Sequence, residues 1–84
     1  MQNYKIDVLL YVVDGAVASN CADITFYNQG TTAVVINNGV TINAGQSLSI
    51  SANANEIDTT IYTFRFVISA SVTNKLVIFR KIYA

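Results

Sequence analysis

The chain has 84 residues, with five basic and five acidic side chains, one cysteine and no histidine. That inventory excludes an intrachain disulfide, every histidine-based triad or general base, and the usual zinc and copper ligand sets. Only 12% of the residues are charged while 52% are hydrophobic, whereas globular chains usually carry about 25% charged residues.

A chain of this length makes one domain, 1–84. Area scaling gives it a folded surface of ~4,900 Å², with about 63% of the unfolded surface buried, which is a thin core. Domains this small often draw stability from metals, disulfides or partners. With the first two excluded, oligomerisation is the route left. A neutral, apolar surface points the same way, because a soluble monomer normally carries charge to keep its copies apart. A nucleic-acid partner calls for a basic excess, and the net charge is zero. The longest apolar run, Val8–Val13, lies between Asp7 and Asp14 and falls far short of the ~20 residues a spanning helix needs. Ala16-Val17-Ala18 has the small-residue look of a signal-peptide cleavage site. The run before it is short and is broken by Asp14-Gly15, so the N-terminus is expected to fold and the protein to be made in the cytoplasm without export.

Val, Ile and Thr together supply 28 residues, ten, ten and eight of each, against four Leu and one Glu. β-Branching restricts χ1 and suits a pleated surface, and alternation recurs where no helical period is sustained. The first strand is predicted over Tyr4–Val13, with the even positions Tyr4, Ile6, Val8, Leu10 and Val12 inward. Ala16–Cys21 reads as a loop of small and polar residues. Ala22–Asn28 is the second strand, with Ile24 and Phe26 inward and Asp23, Thr25 and Tyr27 outward. Asn28-Gln29-Gly30 turns the chain into Thr32–Ile36, with Val34 and Ile36 inward. Asn38-Gly39 between β-branched runs is the sequence of a type I′ hairpin turn, returning through Val40–Ile42. Asn43-Ala44-Gly45 turns again into Gln46–Ile50, with Leu48 and Ile50 inward, so the middle third reads as a meander.

Ser51–Glu56 is polar and reads as a loop. Ile57–Ser69 is predicted as a long strand with Tyr62, Phe64, Phe66 and Ile68 on one face and Ile61, Thr63, Arg65 and Val67 on the other. After a turn around Ser71–Lys75, Leu76–Tyr83 is the last strand, apolar on both faces. About seven short strands without a helix predict an all-β fold, a small antiparallel β-sandwich or barrel. Strands apolar on both faces need cover on both. The first strand and the last two are therefore the candidate contact elements. The residues assigned to that interface are Leu9, Tyr11, Val13, Val77, Phe79 and Tyr83, placed opposite the inward set.

No catalytic residue emerges. Cys21 has no histidine to lower its pKa and reads as a small residue at a strand start. Ser47, Ser49 and Ser51 alternate as solvated residues do, and no nucleophile elbow or phosphate-cradling glycine loop occurs. Asn53, Asn55, Glu56 and Asp58 offer alternate oxygens to a calcium ion, but the twelve-residue loop with its glycine is missing and a solvated loop is the reading kept. No glycosidase-type acid pair can be traced. Asp7, Asp14 and Asp23 read as solubilising charges. Arg65, Arg80 and Lys81 near Tyr62, Phe79 and Tyr83 could form an aromatic–basic surface for single-stranded nucleic acid; at zero net charge the better reading is the rim of a protein interface. No cofactor and no metal is expected.

The stretch Ile24–Ile50, a strand ending in Asn-Gln-Gly, an Asn-Gly hairpin, then Gly-Gln-Ser before an alternating strand, resembles small β-sandwich virion proteins of bacteriophages, of the capsid-decoration and head-fibre attachment type. The resemblance implies a multicopy structural protein without enzymatic activity, found in the virion, whose partners are itself and other virion proteins. The alternative is a carbohydrate- or surface-binding module using Tyr27 and the Asn-rich loops.

Overall fold

The computed structural model describes residues 3–53, 55–68 and 72–83. Eight strands run in chain order: β1 (Tyr4–Tyr11), β2 (Gly15–Ala18), β3 (Asp23–Asn28), β4 (Val34–Ile36), β5 (Val40–Ile42), β6 (Ser47–Ser51), β7 (Ile61–Phe66) and β8 (Leu76–Tyr83). They form two antiparallel four-stranded sheets, β1-β8-β3-β6 and β2-β7-β4-β5, with no helix among the described residues. The expected all-β sandwich is what the chain adopts, with eight strands where about seven were predicted.

The core lies between the sheets and draws on both: Ile24, Phe26, Leu76 and Ile78 from the first, Val34, Ile36, Phe64 and Phe66 from the second. These are the residues that strict alternation points to one side of their strands. Phe26 meets Tyr62 edge-on at 5.4 Å and Tyr11 meets Phe64 at 4.6 Å, so aromatic contacts tie the sheets together. The surface of 4996 Å² is close to the value expected for the mass. The body is long, 43 × 21 × 18 Å. At one end Ile82 and Tyr83 of β8 pair with β1 beyond the reach of β3.

Only β4 and β5 are both consecutive in the chain and adjacent in a sheet; every other connection passes from one sheet to the other. The expected meander is therefore replaced by a crossing path. Asn28 fixes its main corner. The side chain is fully buried. Its Nδ2 donates to the carbonyls of Thr32 (2.8 Å) and Ile42 (2.9 Å), and its Oδ1 accepts from Gly30 N–H at 3.0 Å. Its own backbone N–H and C=O pair with Gln46 and Gly45. One residue thus joins the end of β3, the approach to β4, the end of β5 and the β5–β6 turn, with both amide N–H donors and the amide oxygen engaged. Gly30 passes so close to the chain before β8 that a Cβ there would lie 2.7 Å from the Thr73 carbonyl oxygen.

Several local expectations are corrected. The β4–β5 turn places positive φ at Asn37 (51°) and Asn38 (56°) rather than at Asn38-Gly39, because Asn37 Oδ1 accepts the Thr63 N–H at 2.8 Å and ties the turn to β7. Of the expected loop Ala16–Cys21, residues 16–18 join Gly15 in β2 against β7; Gly15 there lets the Phe64 ring approach to 3.2 Å of where a Cβ would stand. The long strand predicted over Ile57–Ser69 shortens to Ile61–Phe66, and Ile68 is exposed; Ser69 and Ser71 lie outside the described residues. Asp7 and Asp14 are not merely solubilising charges. Asp7 pairs with Arg80, and Asp14 Oδ1 accepts the Phe66 N–H at 2.9 Å.

The largest correction concerns β1. Its even residues point outward, with Tyr4, Ile6, Val8 and Leu10 between 55% and 58% exposed, while Leu9 and Tyr11 pack on the core. Val12, predicted inward, is also exposed.

Replacing Asn28 by Ala should cost about 2 kcal/mol or more in urea unfolding, since it takes the amide donor from the carbonyls of Thr32 and Ile42, while the Gly30 N–H keeps the Lys75 carbonyl at 3.0 Å. Ser49→Ala, which removes one exposed hydroxyl bond to Thr25, should cost well under about 1 kcal/mol.

Candidate functional site: the outer face of the first sheet

The register of the first sheet sets the composition of its outer face row by row. Ser47, Tyr27, Val77 and Leu10 form one row across β6, β3, β8 and β1; Ser49, Thr25, Phe79 and Val8 form the next; Ser51, Asp23, Lys81 and Ile6 the third; and Tyr83 with Tyr4 ends the face. The face therefore grades from a serine edge at β6 to an aliphatic and aromatic edge at β1. Its only charges are Asp23 and Lys81, which face each other at 3.9 Å, and Lys81 Nζ also stands 4.7 Å from the Tyr4 ring centroid. Among the described residues it carries no unpaired charge.

An outward face this apolar is unusual for an antiparallel sheet, whose solvent side is normally polar. Four side chains along one strand, each more than half exposed and contiguous with Val77 and Phe79, make a patch of the kind that marks an interaction surface. Val77, in the middle of the face between Leu10 and Tyr27, is already 8% exposed within one chain.

β1 turns this way because its odd side chains have partners inside. Arg80 lies on the same side of β8 as Leu76 and Ile78, opposite Asp7. Its Nε donates to Asp7 Oδ2 at 3.0 Å, and Nη1 donates to the carbonyls of Ala18 (3.0 Å) and Ser19 (3.3 Å). The guanidinium thus joins β1 to the end of β2, across the two sheets. Leu9 and Tyr11 follow Asp7 on that side and fill the core beside Ile78 and Leu76. A half-buried cation needs its carboxylate, and that need fixes the parity of the whole strand.

The six residues assigned to an interface from sequence are divided by this geometry. Val77, Phe79 and Tyr83 do lie on the outer face, and Val13 is exposed in the β1–β2 connection. Leu9 and Tyr11 point to the core instead. Tyr4, Ile6, Val8 and Leu10 take the place given to them. The missed signal was Arg80: its position beside Leu76 and Ile78 demands an acid on the adjoining strand, and Asp7 supplies it only if the odd face of β1 turns in. Arg80 is accordingly not available as a rim residue. Tyr27 sits between Ser47 and Val77 in the same face, while Asn37 and Asn38 belong to the hairpin of the other sheet.

Elsewhere the polar clusters serve the fold. Cys21 is fully buried, and burial, followed by the Asp58 carboxylate, raises its pKa, which disfavours the thiolate. Asp58 bridges to Cys21 through the backbone, its carboxylate accepts from Tyr62 Oη (2.6 Å) and Thr60 N–H (2.8 Å), and its own carbonyl accepts from Ser19 Oγ (2.7 Å). Glu56 Oε1 accepts from Asn53 N–H at 3.0 Å, so three carboxylate oxygens of the loop considered for calcium are engaged internally. An open hollow of about 450 Å³ lies along the β5–β6 turn, lined by Val40, Thr41, Gln46 and Leu48 among others.

Comparison with protein-family models, with curated proteins and with solved structures returned no match.

The Tyr62 hydroxyl holds the Asp58 carboxyl below its usual range. A carboxyl whose folded pKa is depressed adds stability above its unfolded pKa, lost as pH falls through the folded value. Tyr62→Phe should therefore cost about 1 kcal/mol at neutral pH and less in acid, below the ordinary carboxylate range, a convergence that urea titrations at the two pH values would measure.

Proposed function

We propose that the protein is a non-enzymatic structural component that works by contact, burying the outer face of the β1-β8-β3-β6 sheet against a copy of itself. The observation that carries this reading is the row Tyr4, Ile6, Val8 and Leu10, more than half exposed on a sheet face with no unpaired charge among the described residues. An eight-residue strand is ~27 Å long and four strands are ~19 Å wide. The flat area of that face is therefore ~500 Å², about two-thirds of the ~800 Å² per partner that a standard interface buries, before side-chain relief is counted. Few charges oppose the approach of a second copy, since the chain as a whole is neutral and only 12% charged.

The setting we propose is a phage virion, where a multicopy shell or fibre component would meet copies of itself and neighbouring virion proteins. This part of the reading rests on the Ile24–Ile50 resemblance alone. Burial of the one thiol, with its pKa raised, disfavours it as a nucleophile and is consistent with this reading.

The test is the solution mass of the wild-type chain and of a Val8→Lys/Leu10→Lys double variant, by light scattering across a dilution series. Both positions are exposed, so the variant should keep its circular dichroism and melting temperature. A wild-type oligomer whose mass the variant lowers is the expected result. A wild-type monomer at every concentration, or an oligomer indifferent to both lysines, would overturn the assignment of this face.

A further inference from the structure

The sandwich has four edge strands, and three of them are short: β2 has four residues, β5 three and β6 five. The fourth, β1, has eight and pairs only with β8, so half of its peptide groups face away from the sheet without a strand to meet them. Proteins usually blunt such an edge with a bulge, a proline or several lysines. β1 has no proline, pairs with β8 in unbroken register, and carries a single lysine.

That lysine is placed for a partner. Lys5 and Asp7 are the only charges on β1, are opposite in sign, and stand two residues apart on the same side of the strand. Lys5 is exposed and opposite Ile82, and no ion pair to it occurs among the described residues. Both bonds that Arg80 makes to Asp7 fall on Oδ2, leaving Oδ1 open to a second cation. Two opposite charges spaced i, i+2 form a self-complementary pattern in an antiparallel pair, because the two-fold axis midway between them sets each against the other.

We infer that β1 pairs antiparallel with β1 of a second copy about a two-fold axis at Ile6, joining two four-stranded sheets into one of eight strands. Lys5 then lies opposite Asp7 of the partner subunit, Ile6 opposite the partner's Ile6, and Tyr4 opposite the partner's Val8. The neighbouring two-fold registers lack this match. An axis at Asp7 sets Asp7 against the partner's Asp7, and an axis at Val8 sets Lys5 and Asp7 against the partner's Tyr11 and Leu9. Directly opposed side chains in such a pair interact favourably when oppositely charged and unfavourably when alike. The pairing also brings the two aliphatic stripes side by side at the centre of the joined face, with the serine edges outermost. The inference deepens the self-association reading and rests on it, but the edge and the face are separate surfaces.

The experiment is cysteine cross-linking of the intact chain under a mild oxidant, with Cys21 silent because it is buried. In Ile6→Cys the two sulfurs would be directly opposed and a covalent dimer should form nearly to completion. In Val8→Cys the two copies of the residue would be ~13 Å apart along the strands, beyond disulfide reach, and no cross-link should form. Lys5→Asp, which sets like charges together twice, should raise the dimer dissociation constant about tenfold or more, and the effect should shrink in high salt. An Ile6→Cys chain that stays uncrosslinked while the wild type is oligomeric by light scattering overturns the edge pairing and leaves the outer-face reading standing. So does Val8→Cys cross-linking as readily as Ile6→Cys. A wild type that is monomeric throughout removes both readings.

Discussion

The side chain of Arg80 sets the orientation of β1, and much of the molecule's surface follows from that. A guanidinium between the sheets is tolerable only with an acid and hydrogen-bond acceptors around it. Asp7 and the carbonyls of Ala18 and Ser19 supply them, from β1 and from the end of β2. Because strand side chains alternate with a period of two, placing Asp7 inside also places Leu9 and Tyr11 inside and sends Tyr4, Ile6, Val8 and Leu10 out. One polar contact thereby decides which of two apolar faces of the strand joins the core and which is left for a partner.

The rest of the sandwich is consistent with this choice. β8 lies between β1 and β3, with Leu76 and Ile78 inside at full burial and Val77 and Phe79 outside. Leu10 and Tyr27 flank Val77, so even the outer face begins to form a core of its own. At the other corner Asn28 gathers three chain segments through its amide, so that strands short enough to be weak alone are held where the chain changes sheets. The interior is thus secured by a few fully bonded polar groups and a modest set of large apolar side chains.

Much of this was legible in the sequence. β-Branched composition and alternation identified the all-β class, and the inward sets Ile24/Phe26, Val34/Ile36, Leu48/Ile50 and Tyr62/Phe64/Phe66 follow from period-two patterning because their opposite faces are polar or mixed. β1 defeated the same reasoning because both of its faces are apolar. Counting hydrophobic residues favours the even face, and the deciding term is an ion pair to a residue more than seventy positions away. β2 escaped for a related reason: a Gly-Ala-Val-Ala segment has little strand propensity and becomes a strand by pairing with β7. The crossing path between sheets depends on buried amide contacts that no local pattern encodes. Of the residues expected at an interface, Val77, Phe79 and Tyr83 lie on the outer face and Val13 in an exposed connection, whereas Leu9 and Tyr11 belong to the inner side of β1.

An edge strand exchanges its amide hydrogens through local opening unless something covers it. The account is therefore tested most directly by amide hydrogen exchange along β1, compared with β3 and β8, over a wide range of protein concentration. If a second copy covers this strand and its outward face, exchange in Tyr4–Tyr11 slows as concentration rises, while the interior strands are already protected and change little. If β1 exchanges at one rate at every concentration while the protein stays folded, the apolar stripe is not covered by its own kind and the proposed assembly is wrong.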